Sequence, residues 1–396
     1  MTPPTTTQAA VRVTARGAER WARGHPWIYR SDVTGGAGVA GLVRVEDPRG
    51  RFIGQALSSP ASEIRLRLLE RTDRRVDRGW WREQIAAAAD RRRGIDADAW
   101  RGVHGEGDGL PSLIIDRYDR WVVAQFLSAG LETMRDDLLG AIDDVLSPAG
   151  VLLRHDVPVR RREGLPSEPE LVVGEVPDQI EVREGAVRYL AAPWTGQKTG
   201  AFLDQRPNRV LAGQLARPGG RALDCFAYHG SFALHLARHA AHVLALDAST
   251  AALERVAANA ALNNLTNIEA READAFEALR GFARGSERFD TIVLDPPAFA
   301  KSRASVPDAL RGYREINLRA MRCLAPGGIL VTASCSFHVR LPEFLRMLAD
   351  AAADSGRRLA LLRVLGQSED HPELLTVPET GYLKGAVLQA YDVSSR

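Results

Sequence analysis

The chain has 396 residues, of which 45% are apolar and 26% charged, and a formal net charge of +2. That length suits two or three domains with cores of their own, and the composition excludes a disordered or fibrous protein. Three cysteines, at 225, 323 and 335, are too few and too scattered for a disulfide or metal framework, and no apolar run reaches the length of about 18 residues that a membrane span needs. The start, "MTPPTTTQAAVRV", has neither the basic head nor the apolar stretch of a secretory leader, so a cytoplasmic location is expected.

Residues 1–75 break into short alternating runs, "AVRVTA", "GLVRVEDPRGRFIGQALSS" and "IRLRLLE", with "DPRG" as the turn between two strands. A small β-barrel domain is the expectation. The segment carries thirteen arginines against seven acidic residues, and arginine grips phosphate with a rigid fork. The same segment serves equally as a structural cap, and an arginine bias runs through the whole chain, which has lysine only at 198, 301 and 384.

Residues 76–190 read as a second, α+β domain. "RGWWREQIAAAADRRR" places Trp81, Ile85 and Ala88 on one helix face. "LPSLIIDRYDRWVVAQFLS" reads as two strands around a turn, and "LETMRDDLLGAIDDVLSP" as a helix. "GVLLRHD" and "ELVVGEVPDQIEVREGAVRYLAA" return to strands.

Residues 191–396 change rhythm. Strands ("RALDCFAY", "HVLALDAS", "ERFDTIVLDPP", "GGILVTASCS") alternate with helices ("SFALHLARH", "AALERVAANAALNNL", "GYREINLRAMRCL"), the pattern of a parallel α/β sheet that binds ligands beyond the carboxyl ends of its strands. Asp224, Asp247, Asp274 and Asp295 each fall near such an end. "DCFAYHG" lacks the three glycines that let backbone approach a pyrophosphate, and its aspartate would repel one. An acidic loop with Gly230 opening a helix suits a cofactor with a ribose, an adenine and a cationic tail, and S-adenosylmethionine has those parts. Asp247 is placed to hold ribose hydroxyls and Asp274 the adenine amino group, although a cap role is the ordinary fate of such aspartates.

The chemical end combines "TIVLDPPAF" with "VTASCSFHV". Pro296 and Pro297 stiffen the chain after Asp295, which would present Asp295 and Phe299 to a flat base; the competing reading packs Phe299 into the core. Cys335 ends the next long strand. A thiolate there can add to an electron-poor ring carbon, such as carbon 6 of cytosine, which makes carbon 5 nucleophilic. Cys225 and Cys323 read as core.

These segments carry a resemblance. The chain resembles the family of ribosomal large-subunit RNA methyltransferase I: "WARGHPWIYRSDV" is similar to the start of its N-terminal PUA domain, and "GLPSLIIDRYDRWVVAQ" and "RHDVPVRRREGL" to its central domain. "GQKTGAFLDQR", "LDCFAYHGSF", "LDPPAFAKS" and "SCSFHV" resemble its methyltransferase motifs in order. The resemblance implies a multidomain fold: a PUA-like β-barrel, a central α+β domain and a Rossmann-like class I methyltransferase domain. It implies transfer of a methyl group from S-adenosylmethionine to carbon 5 of a 23S rRNA cytosine, with no metal and no membrane partner, by a monomer or homodimer.

For the site, the resemblance implies that Phe202, Asp204 and Arg206 border the cofactor pocket, with Lys198 and Thr199 leading to it. Asp224, Phe226 and Gly230 would meet the cofactor's amino-acid part, Asp247 its ribose and Asp274 its adenine. Asp295, close to cofactor and base alike, would hold the target with Pro296, Pro297 and Phe299; Cys335 would be the nucleophile and Lys301 an RNA contact. Three positions depart from the family pattern. Ala201 stands where a second aromatic is common, and His229 where a small residue is. Pro297 stands where many RNA cytosine-5 methyltransferases carry a second cysteine, so release of an adduct must use another base. Two other functions compete: methylation of a ring nitrogen or amino group such as guanine N7, for which "DPPAF" suffices without a cysteine, and a non-catalytic RNA-binding or ribosome-assembly role.

Overall fold

The computed structural model describes residues 9–36 and 38–391; residues 1–8, read above for a leader, lie outside that range. The chain forms two compact units. The first comprises residues 1–180, 191–201 and 369–380, and the second 181–190, 202–368 and 381–396. These bounds differ from the three segments expected. The hairpin of Ile180–Glu184 and Val187–Ala191 lies mostly in the second unit. It is held there by the backbone N–H of Leu190, which donates to Asn259 Oδ1 at 2.9 Å, and by Glu184, whose carboxylate forms a buried ion pair with Arg209. Residues 369–380 are returned to the first unit by Asp370: its carboxylate accepts the N–H of Arg101 at 2.9 Å, and its carbonyl accepts Arg92 at 2.8 Å. Composition shows neither excursion, because both depend on polar contacts between segments distant in sequence.

In the first unit, six strands form a sheet in the order Trp27–Tyr29, Ile64–Glu70, Phe52–Ser58, Gly41–Glu46, Ala10–Val13, Val33–Gly35. The alternation seen in the sequence is borne out: Val43 and Val45 are buried with Val11, Val13 and Trp21, while Leu42 and Arg44 are half-exposed. A second sheet, Glu170–Gly174, Gly150–Leu153, Trp121–Phe126, Leu113–Tyr118, Ala99–His104, is covered by helices Arg78–Asp90 and Arg135–Leu146. Trp81, Ile85 and Ala88 all point into that core.

The second unit is a seven-stranded sheet in the order Ile268–Glu272, His242–Asp247, Arg221–Cys225, Phe289–Leu294, Leu324–Ser334, Lys384–Ala390, Leu359–Gly366. Both faces are apolar, as a sheet sandwiched by helices requires. Leu223, Leu244, Leu246, Ile292 and Leu294 pack on the side of helices Ala275–Arg284, Val306–Cys323 and Leu341–Ser355. Ala222, Val243, Ala245 and Val293 face helices Arg206–Leu215, Ser231–Ala237 and Thr250–Leu262. The sheet is not wholly parallel, as the sequence suggested. Lys384–Ala390 inserts antiparallel to both of its neighbours.

Candidate active site

Parallel pairing brings three of the aspartates together. Asp224 pairs with Ala245 on one side and Val293 on the other, so the ends of the three strands, carrying Asp224, Asp247 and Asp295, are adjacent. Asp224 is 1% exposed. Its Oδ2 accepts the N–H of Ala233 at 2.9 Å in the first turn of a helix, while its Oδ1 has no partner among the described residues. Burial, reinforced by the repulsion of Asp295 and Asp247, pushes its carboxyl well above the ordinary range against the pull of the Ala233 N–H. A buried carboxyl with an unspent oxygen calls for a hydrogen-bonding, preferably cationic, ligand.

The loop after this strand is held in an unusual backbone shape. Phe226, Tyr228 and Gly230 have φ of 66°, 54° and 83°, a region that costs energy for side chains as large as the first two and is kept only where surrounding contacts enforce it. Asp247 enforces it: Oδ2 accepts the N–H of Tyr228 at 2.8 Å and Oδ1 that of Ser249 at 3.0 Å. A Cβ at Gly230 would come within 3.1 Å of Val256, so glycine is needed for space as well as for φ. The Tyr228 ring lies under the Arg255 guanidinium (4.3 Å) and edge-on to Phe202 (5.4 Å). His229 is buried against the rings of Tyr189 and Tyr228, and burial, with the charges of Arg209 and Arg255, pushes its pKa to about 3. Burial thus favours its neutral form.

The other expected cofactor residues make contacts of their own within the chain. Asp274 is exposed and caps helix Ala275–Arg284 by accepting the N–H of Glu277 at 3.0 Å. Asp204 and Arg206, expected to border the pocket, are buried; Asp204 accepts Tyr382 Oη at 2.6 Å, and Arg206 donates to Ser368 Oγ at 2.7 Å. These contacts fasten the segment after strand Leu359–Gly366. Phe202 gives its carbonyl to Arg209 (2.7 Å). Lys198 and Thr199 belong to the first unit, where Thr199 Oγ1 donates to Asp116 at 2.5 Å.

At the chemical end, Asp295 is half-buried and its Oδ1 accepts Gln205 Nε2 at 2.7 Å. Gln205 is itself held by Asn208, which donates to its Oε1 at 2.7 Å. Pro296 is buried and Pro297 exposed. The Asp295 loop and the Cys335 turn are joined: the N–H of Ala300 donates to Ser336 Oγ at 3.0 Å, and Tyr313 Oη lies 2.9 Å from the same hydroxyl. Cys335 is half-buried between the buried Ser334 and Ser336. Cys225 and Cys323 are fully buried, with burial raising both thiols, Cys323 to about 11.

Phe299 is half-buried, with its ring tilted 4.5 Å from that of Tyr313 and 5.8 Å from that of Phe276, on the edge of the core. Lys301 is exposed. The arginine excess of the first domain is partly spent on internal pairs, Arg16 with Asp32, Arg44 with Asp73 and Arg51 with Asp47 among them. Sequence reasoning missed Gln205, Tyr228 and Lys384, the last of which donates from Nζ to the carbonyls of Ser336 (2.5 Å) and Val339 (2.8 Å). Gln205 stood inside a quoted motif, but nothing local marked it as buried. Among the described residues no cluster of His, Cys, Asp or Glu is arranged for a metal, and no helix is long and apolar enough to cross a membrane.

A seven-stranded sheet with acidic strand ends, an unspent buried carboxyl oxygen and a glycine-opened helix defines a nucleotide-type cofactor site. Comparison with known proteins says which class it is. The family described as S-adenosylmethionine-dependent methyltransferase matches residues 141–388, and that described as PUA-like domain matches residues 11–71. A solved SAM-dependent methyltransferase structure from Streptococcus mutans superposes with a TM-score of 0.81 over 96% of this chain and 99% of its own, at 19% identity. A second, of a methyltransferase complexed with SAH, gives 0.82 over the same shares. At that identity the likeness shows the fold. The chain is therefore an S-adenosylmethionine-dependent methyltransferase with a PUA-like domain at its N-terminal end.

Closer relatives narrow the class. The proteins named ribosomal RNA large subunit methyltransferase I of Pseudoalteromonas atlantica and Tolumonas auensis are 38% and 39% identical to it, over 92% and 93% of this chain and 95% and 96% of theirs. The chain belongs to the ribosomal RNA large subunit methyltransferase I family. S-adenosylmethionine is its cofactor, and the Asp224 oxygen left without a partner fits the cofactor's cationic amino-acid end.

Proposed function

We propose that this protein methylates carbon 5 of a cytosine in 23S rRNA, with Cys335 as a covalent nucleophile and Asp295 holding the base. The names of the relatives support ribosomal RNA as the substrate, and exposed arginines of the PUA-like domain such as Arg12, Arg23 and Arg49 supply phosphate contacts that orient it. The observation that carries the chemistry is the hydrogen bond from Ala300 to Ser336, which ties the Asp295 loop to the turn bearing the one thiol that is not fully buried.

In this reading the Cys335 thiolate forms a bond to carbon 6, and the carbon 5–carbon 6 electron pair moves onto carbon 5. Asp295 stabilises the adduct by hydrogen bonding or proton donation at N3. Bound S-adenosylmethionine supplies an electrophilic methyl group beside that carbon. Once carbon 5 has taken the methyl group, the broken S–CH3 pair remaining on the sulfur of the S-adenosylhomocysteine by-product, a base removes the carbon 5 proton, the double bond reforms and the thiolate leaves. Asp224 and the 226–230 loop hold and orient the cofactor, and Gln205 holds Asp295 in the direction of the ring.

The test is nucleoside mass spectrometry of 23S rRNA incubated with the protein and methyl-labelled cofactor. Label is expected in 5-methylcytidine. Cys335→Ala is expected to abolish transfer while leaving cofactor affinity, by calorimetry, within a few-fold. Full activity of that variant, or label in a guanine, refutes the mechanism.

A further inference from the structure

The turn that carries Cys335 is secured by a buried cation. Lys384 is one of three lysines in the chain and is 7% exposed. It is the first residue of strand Lys384–Ala390 and pairs with Ser334, the residue before the cysteine. Its ammonium donates to the carbonyls of Ser336 at 2.5 Å and Val339 at 2.8 Å, the first and last residues of a turn that the N–H of Val339 closes onto Ser336. Burying an ammonium costs several kcal/mol, and this one is fixed to the residue after Cys335 and paired with the residue before it, which gives the charge a use at the cysteine as well as at the two carbonyls.

The surroundings show what that use is. Asp224, Asp247 and Asp295 gather at neighbouring strand ends, and carboxylates disfavour a thiolate near them. The titratable and charged groups on the segments that meet at the turn include Tyr313 from helix Val306–Cys323, Lys384 from its strand, His338, Arg340 and Glu343 beyond the cysteine, and Asp295 at the head of the loop whose Ala300 donates to Ser336. Of these, Lys384 is the buried cation fixed to the residue next to Cys335.

We infer that Lys384 is a positioning residue for Cys335: it pins the 336–339 turn and places a positive charge that favours the thiolate. This rests on the reading of Cys335 as nucleophile. The test is the pH dependence of iodoacetamide alkylation of the folded protein, with the modified cysteine identified by mass spectrometry. Cys225 and Cys323, fully buried, stay silent. In the wild type the midpoint for Cys335 is expected below the ordinary thiol value of about 8.5. Lys384→Arg, which keeps charge and donors, is expected to hold both the midpoint and methyl transfer within about threefold. Lys384→Met is expected to raise the midpoint by about one unit, slowing alkylation at pH 7 about tenfold, and to lower kcat in proportion with cofactor affinity unchanged.

A wild-type midpoint at or above the ordinary value overturns the inference, and this measurement needs no variant to fold. Identical profiles for the Arg and Met variants overturn it too. Alkylation is read without RNA or cofactor, so it is decided separately from the Cys335→Ala transfer assay that decides the nucleophile.

Discussion

Gln205 offers the sharpest probe of how Asp295 works. Its Nε2 donates to Asp295 Oδ1 at 2.7 Å, and its own Oε1 is held by Asn208, which also donates to the carbonyl of Gly366 at 3.0 Å. Gln205→Leu keeps the volume and removes the bond, and Asn208 keeps Gly366 as a partner, so the fold survives. A hydrogen bond to a charged group contributes about 1.5–3 kcal/mol. If that bond orients Asp295 in the transition state, kcat/KM falls roughly 10- to 150-fold, with cofactor affinity unchanged. Gln205→Glu still serves Asn208 but sets a second carboxylate against Asp295, and two carboxylates so close must share a proton. The ratio of its activity to wild type therefore rises as pH falls. The assay is methyl transfer to an rRNA fragment across pH, with calorimetry for the cofactor. Wild-type kcat/KM for Gln205→Leu, or a loss seen wholly in cofactor affinity, refutes the argument.

Two further predictions concern buried charge. The Glu184 carboxylate is bound by Arg209 at 2.7 Å and 2.5 Å and by His235 at 3.0 Å, entirely inside the second unit. Glu184→Gln strands the Arg209 cation at a cost of about 3–5 kcal/mol, lowering Tm by about 6–20 °C. Despite burial, the Arg209 charge and hydrogen bonds and His235 hold the Glu184 carboxyl down at about 2, from 4.5. Its contribution is therefore complete above pH 4.5 and is lost as pH falls toward 2, so the Tm gap between variant and wild type closes across that window; a constant gap refutes the assignment. Asp224→Asn removes a charge whose folded pKa is raised, a charge that costs stability above the ordinary carboxyl value and not below it. The cofactor-free variant is expected to melt higher at pH 7 and to bind S-adenosylmethionine roughly 10- to 150-fold more weakly. A lower melting temperature, or unchanged affinity, counts against the cofactor role.

What the sequence made legible was what local chemistry writes. Strand ends announce themselves by an apolar run followed by a break, so the 224, 247, 274 and 295 positions were readable as one series, and parallel register sets the ends of their strands side by side. The same local logic says nothing of contacts that come from far along the chain. Asp204 and Arg206 sit in a motif that reads as pocket lining, and in the structure Asp204 Oδ2 also accepts Tyr382 Oη while Arg206 donates to Ser368. Phe299 follows a stiff Pro-Pro turn, and Tyr313 from a later helix packs against its ring. Gln205 reaches Asp295 only because a helix start packs beside a strand end ninety residues on. A polar side chain in an amphipathic stretch carries no mark of being buried until the tertiary structure buries it.

Lys384 shows the physical root of that limit. In a parallel sheet every strand offers its last residues to the ligand side, and a residue that begins a strand lies at the opposite edge. The sequence pattern implied such a sheet, which would place the first residue of the final strand away from Cys335. The antiparallel insertion of Lys384–Ala390 reverses this, so a strand-opening lysine pairs with Ser334 and reaches the carbonyls beyond the cysteine. The reversal also resolves a conflict within the site. Carboxylates suited to a cationic cofactor oppose a thiolate, and a parallel strand would add only another loop to the same end. One antiparallel strand delivers a cation from the sheet itself, on a rigid element, and if Cys335 is the nucleophile that cation lies where its thiolate forms.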